Sequence, residues 1–326
     1  MDTPAILPAA QQLEREHYQA VLAEIRACLD AFPPDFQSDI RSFFDRLAQG
    51  EFSQVVVLLP YYLSDLLPLS AETLRKLSAA HLYGWWYYYV QDELLDGDAP
   101  PADLLGAHLA LLKMLDIYTE LGLPNAPCWK DFQRLSLNSA AAYAREMKTR
   151  FASLAELTPE RLRLWNPGLI IDRAAPFYFN TIAQLYMAGV SPDQPLRGDL
   201  LAALKAFTAA RQIGDDAGDW IDDLQRGQLN YVSAQLIGQF YKQDLTAKGE
   251  ALDVERLAAW SLRNEEFWRE LERITQDYLH KALDHLTSYG SCKLKEVIQR
   301  QMTQSARQWT SARQRRFDLR TVFGLG

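Results

Sequence analysis

Cysteine is scarce in this chain of 326 residues: Cys28, Cys128 and Cys292 are far apart and match no paired metal or redox spacing. That excludes a disulfide scaffold and points to reduced structural thiols of a cytoplasmic protein. Positive charge is also short. Lys and Arg number 34 against 42 Asp and Glu, a net charge of -8, which argues against a nucleic-acid partner because a phosphate polymer is repelled. Small anions stay open where metal ions intervene. No run approaches 18 uninterrupted apolar residues, so no membrane-spanning helix is expected. The opening MDTPAILPAAQQLEREHYQ lacks the basic start and apolar stretch of a signal peptide. One Glu-x-x-His, Glu14 to His17, stands where a di-iron carboxylate bundle needs two. Gly/Ser linkers, low-complexity tracts and internal repeats are missing as well.

What is present is helix-forming. Apolar residues make up 48% of the chain, and Leu, Ala, Arg, Glu and Gln dominate. Between the prolines, apolar residues recur at helical spacing. This predicts helices at about 9–31, 35–48, 71–97, 102–121, 129–151, 176–189, 198–226, 229–242, 255–288 and 293–316. The stretch 52–67 is ambiguous: Val55-Val56-Val57 suits a strand, but Pro60 and the want of a partner strand favour a broken helix. Long helices joined by short turns imply an all-α fold, a single helical bundle spanning 1–326.

Two acidic clusters need an explanation. The first, Asp92-Glu93-Leu94-Leu95-Asp96, ends the strongly aromatic run YGWWYYYVQ. Asp92 and Asp96 share a helix face and meet the unfavourable negative end of the helix dipole. The second, in QIGDDAGDWIDDLQRGQLNYV, puts aspartates at 215, 216, 219, 222 and 223 without one basic residue among them. Asp215, Asp219 and Asp223 step by four along one face, and Asp222 joins them. Like charges at that spacing cost roughly 0.2–0.5 kcal/mol each, a conflict that a divalent cation removes. Most charge runs are merely solvated faces; a four-residue repeat inside an otherwise apolar helix is less easily read that way. Carboxylates without histidine or cysteine suit a hard cation, so magnesium is the expected metal. Gly214 and Gly218 leave room on the same helix for close helix contact or for a substrate.

These residues resemble a family. DELLDG, after its aromatic lead-in, is similar to the first aspartate-rich motif of squalene and phytoene synthases. QIGDDAGDWIDDLQRGQLNY resembles their second motif, with Asp219, Asp223, Arg226 and Gly227 at matching places. Asp215 and Asp216 make it similar also to the DDxxD motif of chain-elongating prenyl synthases, and Asp215/Asp219/Asp223 to the metal triad of terpene cyclases. KTRFASLAEL (148–157) and YFNTIAQLYMAG (178–189) are weaker echoes. The close match covers about 40 residues and implies the class I isoprenoid synthase fold, where dimers are common.

The resemblance implies a prenyl diphosphate substrate and about three magnesium ions held by Asp92, Asp96, Asp215, Asp219 and Asp223. Diphosphate would leave an allylic cation sheltered by aromatic rings. The expected lining is Trp85, Trp86, Tyr88, Tyr89, Phe177, Tyr178, Tyr186 and Trp220, with Tyr88 and Tyr89 nearest the mouth. Arg173, 46 positions before Asp219, resembles a diphosphate-sensing arginine by spacing, with an ion pair to Asp172 as its plainer role. Arg226 is placed to reach the diphosphate or to cap a helix, and Arg316-Phe317 resembles a C-terminal arginine–aromatic pair. The arginine-rich stretch after 300 otherwise reads as a basic tail or a patch for transient membrane contact. Head-to-head synthases carry arginines before the first motif and in an N-terminal segment, where this chain has Tyr87–Gln91 and EFSQVVVLLP. A single-substrate terpene synthase therefore fits better than head-to-head condensation; the alternatives are that prenyltransferase and a non-catalytic relative that binds prenyl diphosphates.

Overall fold

The computed structural model describes residues 9–30, 32, 34–243 and 253–322. Among these, every regular element is helical: α1 (Ala9–Leu29), α2 (Pro34–Gln49), α3 (Glu51–Tyr62), α4 (Ala71–Asp96), α5 (Asp103–Glu120), α6 (Trp129–Met147), α7 (Pro159–Leu164), α8 (Pro167–Arg173), α9 (Phe177–Met187), α10 (Pro195–Gln225), α11 (Tyr231–Gln243), α12 (Val254–Arg263), α13 (Glu265–Asp284) and α14 (Lys293–Val322). The all-α expectation holds. Ala31, the last residue of the first predicted helix, lies outside the described residues. No described helix is long and apolar enough to cross a membrane.

The chain forms two compact units interleaved in sequence. The first contains the residues up to Gln133 with Pro176–Arg197 and Cys292–Leu294; the second contains Arg134–Ala175, Gly198–Ser291 and the residues from Lys295 on.

In the first unit α4 is the central member, packed by α1, α3, α5 and α9. Its buried residues run round most of its circumference, as a helix enclosed by others requires. Gly84 admits α5: a Cβ there would meet the Met114 sulfur at 2.9 Å. Ser70 caps the start of α4, accepting the Thr73 N–H at 3.1 Å. Gly97, at φ 81°, closes its end, with the Asp98 N–H on the Glu93 carbonyl at 2.8 Å. The ambiguous stretch 52–67 is helical in α3 as far as Tyr62, unbroken at Pro60, and then passes into turns over 63–67. Pro60 falls in the last turn, where its missing N–H costs only the bond to the Val56 carbonyl. Two buried amides fix α9: Asn180 donates to the Leu77 carbonyl at 2.7 Å, and Gln184 to the Pro60 carbonyl at 3.0 Å.

The second unit is built round Trp165, Trp220, Phe240, Trp268 and Trp309. The helix predicted at 255–288 is two. Asn264, at φ −100° and ψ 69°, ends α12, and its side chain accepts the Phe267 N–H to begin α13. A short amide side chain competes locally with the helix ladder, and here it wins. The short helices α7 and α8 were missed. Both begin with the same local signal, a capping Thr158 or Asn166 followed by proline at the first helical position.

Candidate functional site

The aspartate face of α10 is real but narrower than the spacing suggests. Asp215, Asp219 and Asp222 are exposed and Asp223 is half-buried, whereas Asp216 is only 5% exposed. Desolvation raises the Asp215 carboxyl above its ordinary range; the charge of Arg211 opposes the shift and the smaller influence of Asp219 adds to it. Asp219 is raised by desolvation and then by Asp222. Asp223 is raised by desolvation and by Asp219, while a hydrogen bond from Asn230 and the charges of Arg226 and Arg173 oppose the shift. Arg211, Arg226 and Arg173 supply counter-charge to this face, and desolvation outweighs it at each of the three carboxyls. A Cβ at Gly214 or Gly218 would meet nothing within 4 Å, so the two glycines open space on this face rather than admit a neighbouring helix.

Asp216 turns the other way. Its carboxylate accepts the Tyr231 N–H at 2.8 Å and the Gln212 amide at 2.8 Å. Burial pushes its pKa up to about 7 despite both bonds. It ties the aspartate helix to the first residue of α11. Gly227 makes the turn between these helices, at φ 75°, and its carbonyl accepts the Phe151 N–H at 3.0 Å. A Cβ at Gly227 would lie 2.2 Å from the Phe151 carbonyl oxygen, so only glycine fits there.

Each predicted arginine has a place in the second unit. Arg226 follows the end of α10, and its charge acts on Asp219 and Asp223. Arg173 pairs with Glu146 at 3.0 Å and lies over the Tyr143 ring at 5.0 Å, while its charge reaches Asp216 and Asp223. Asp172, beside it, binds Arg145 at 3.0 Å. Arg316 lies over Trp268 at 4.6 Å and faces Glu265 at 3.7 Å. Phe317, the other member of the expected arginine–aromatic pair, is 56% exposed. The arginine-rich stretch is helical throughout α14, and Arg313 there pairs with Glu265 and Glu272.

In the first unit, Asp92 and Asp96 occupy the last turns of α4, half-buried and without a basic residue in that last turn. The Tyr89 hydroxyl bonds to Glu93; its pKa rises through desolvation first and then through the charges of Glu93 and Asp92. Trp85 and Tyr88 gather with Phe177, at ring distances of 5.3 and 6.3 Å. Sequence reasoning missed Arg46, whose charge acts on Tyr89 and whose guanidinium lies 5.7 Å over Phe43. That residue stands on α2, just ahead of the segment that contains no arginine. His81, Gly84, Tyr88, Met114, Tyr118 and Phe177 line a cavity of about 10 Å³, room for one water-sized guest. Burial holds the His81 pKa down at about 4 against a contact with the Val56 backbone that raises it, and that contact is too poorly aligned to satisfy the ring nitrogens.

Three expected aromatic contributors stand elsewhere. Tyr186 is 45% exposed, Tyr178 is buried beside the cavity's residues without lining it, and Trp220 is packed in the second unit's core. Trp86 is buried as well, stacked on Phe43 at 5.5 Å.

Among the described residues no three carboxylate, imidazole or thiol groups converge closely enough to hold a metal ion by themselves. The donor set still fits magnesium, which keeps several waters and takes one or two carboxylates together with phosphate oxygens. The raised, mutually repelling carboxyls of Asp215, Asp219 and Asp223 are the observation behind that fit.

No family model matches this chain, and no curated protein matches its sequence. Solved structures do share its fold. A geranylgeranyl pyrophosphate synthetase of the archaeon Geoglobus acetivorans superposes with a TM-score of 0.67 over 91% of this chain and 99% of that one, at 12% identity. A geranylgeranyl pyrophosphate synthase of Lactobacillus brevis gives 0.65 over 90% and 96%, at 14% identity. The fold is that of all-α prenyl synthases.

Proposed function

We propose that the chain is a magnesium-dependent enzyme acting on prenyl diphosphates. The reading rests on one observation above all. Three carboxyls step along one face of α10, each raised first by desolvation and then by a neighbouring aspartate, an arrangement that a bound divalent cation stabilises at neutral pH. Asp215, Asp219 and Asp223 would hold magnesium, as would Asp92 and Asp96 on α4. When bound, magnesium supplies charge neutralisation that turns diphosphate into a competent leaving group. Arg226 and Arg173 add fixed positive charge beside Asp219 and Asp223. The rings of Trp85, Tyr88, Tyr89 and Phe177 offer faces of about 0.5–2 kcal/mol per contact to an allylic cation and keep water from it.

Within that class the names of the structural neighbours favour transfer of a prenyl group. The allylic C–O bond breaks with its electron pair leaving on diphosphate, the alkene of a second isoprenoid diphosphate adds to the cation, and a proton is lost to restore the double bond. The absence of basic residues from Tyr87–Gln91 and from 51–60 supports a second reading, a terpene synthase that works on one substrate. Incubation with magnesium and geranyl, farnesyl or geranylgeranyl diphosphate, with and without isopentenyl diphosphate, separates them. Longer prenyl diphosphates mark the transferase, hydrocarbons or alcohols of unchanged carbon number mark the terpene synthase, and squalene- or phytoene-length products mark head-to-head condensation. No product and no pyrophosphate release with any of them would sink the proposal.

A further inference from the structure

Asn230 has no charge and no place in the acidic pattern, yet it is 4% exposed and fully engaged. Its Oδ1 accepts the Ser233 N–H at 2.8 Å, and the Ser233 hydroxyl accepts the Asn230 N–H at 2.9 Å. This reciprocal pair caps α11. Because a backbone N–H can bond only the oxygen, the amide cannot be turned over, and Nδ2 must point the other way. There it donates to the Asp223 carboxylate at 2.7 Å and to the Asp216 carbonyl at 3.2 Å.

We propose that Asn230 is a positioning residue that holds the Asp223 carboxylate in place for magnesium and diphosphate; this rests on the function proposed above. The cap alone does not call for asparagine, since serine and aspartate cap as well. An amide places the acceptor for the cap and the donor for the neighbouring carboxylate on two separate atoms, where a hydroxyl has one shorter-reaching oxygen for both. With Oδ2 held at 2.7 Å, the planarity of the carboxyl sets where its second oxygen lies. Asp216 secures the same junction from the other side through the Tyr231 N–H, so the amide is itself held in register with α10. The job is that of an outer partner orienting a metal ligand, and losing such a partner typically lowers metal affinity about 10–100-fold.

The test uses the whole chain and inorganic pyrophosphate, measuring the magnesium concentration that gives half of the maximal pyrophosphate-dependent rise in melting temperature. Asn230→Ser keeps a capping oxygen and removes Nδ2, and its shorter hydroxyl falls about one bond length short of Asp223. Ser233→Ala weakens the cap and leaves that donor in place. The expected result is a rise in the half-saturating magnesium concentration of about tenfold or more in Asn230→Ser, against no change in Ser233→Ala, even where the latter melts lower without ligand. Asn230→Asp keeps the cap and sets a like charge against Asp223, so it should shift at least as far; it also serves if Asn230→Ser does not fold. Equal shifts in the Asn230 and Ser233 variants would reduce Asn230 to a helix cap and overturn the proposal. A wild-type chain that ignores magnesium and pyrophosphate would overturn the metal site itself, and this role with it.

Discussion

The Asp216 carboxylate accepts the backbone N–H of Tyr231, fifteen residues on, at 2.8 Å. An acid in the middle of the aspartate run thereby serves the next helix, and burial pushes its pKa from 3.8 up to about 7. A folded-state pKa above the unfolded value means that the folded chain holds the proton more tightly. The associated stability is fully present below about pH 4 and is lost as pH rises through about 7. Asp215, Asp219 and Asp223 are shifted in the same direction. Chelator-treated protein should therefore melt at a lower temperature near pH 8 than near pH 6. Asp216→Asn should flatten that decline, and magnesium with pyrophosphate should restore the wild type near pH 8. A melting temperature that climbs over this range in the chelated wild type would contradict the assignment.

Two glycines with similar φ should respond differently to alanine. Gly97 has nothing within 4 Å of a built Cβ, so Gly97→Ala should cost only the roughly 1–2 kcal/mol of a left-handed alanine. Gly227→Ala adds a collision with the Phe151 carbonyl at 2.2 Å and should cost well beyond that. Urea titration of both variants checks the ordering.

His81 should be a residue whose loss stabilises. Its ring is buried, with no more than a poorly aligned contact to the Val56 backbone, and an unmet buried polar group costs about 1–3 kcal/mol. His81→Leu, close in volume, is expected to raise stability by up to that amount in chemical denaturation. A destabilised variant would mean that the imidazole has a partner such as a bound water in the adjoining cavity.

Arg173 and Glu146 are both largely buried, at 16% and 12% side-chain exposure. Arg173→Met deprives Glu146 of this partner and should cost about 3–5 kcal/mol. The double variant with Glu146→Gln should recover most of the loss in the free protein. If pyrophosphate release stays depressed in the double variant, Arg173 contributes to the substrate as well as to the fold; if it returns, the ion pair is the whole of its role.

Periodicity and capping residues made most of the helices legible, and the four-residue step of Asp215, Asp219 and Asp223 marked the face that matters. What escaped depended on contacts distant in sequence or on short-range competition. Asp216 looked like another member of the cluster, because nothing local reveals that Tyr231 comes back to meet it. Asn230 carries no charge pattern at all; its value appears only once the turn at Gly227 brings α11 beside α10. Arg46 supplies positive charge near Tyr89 from a helix forty residues earlier. Trp220 and Tyr186 have the right chemistry for a cation pocket, but composition does not reveal that one is packed in a core and the other is 45% exposed. At Asn264 a local competition for backbone bonds overrode an apolar repeat that runs on past it.

The bond between Phe151 and Gly227 bears on the acidic helix as a whole. A helix crowded with like charge ordinarily relaxes by unwinding from its nearer end. Here that end is stitched to a strand of backbone from another part of the chain, and the exit is shut. Above the range where protons serve, further relief comes from bound cations, so the tension among the aspartates becomes a standing appetite for them.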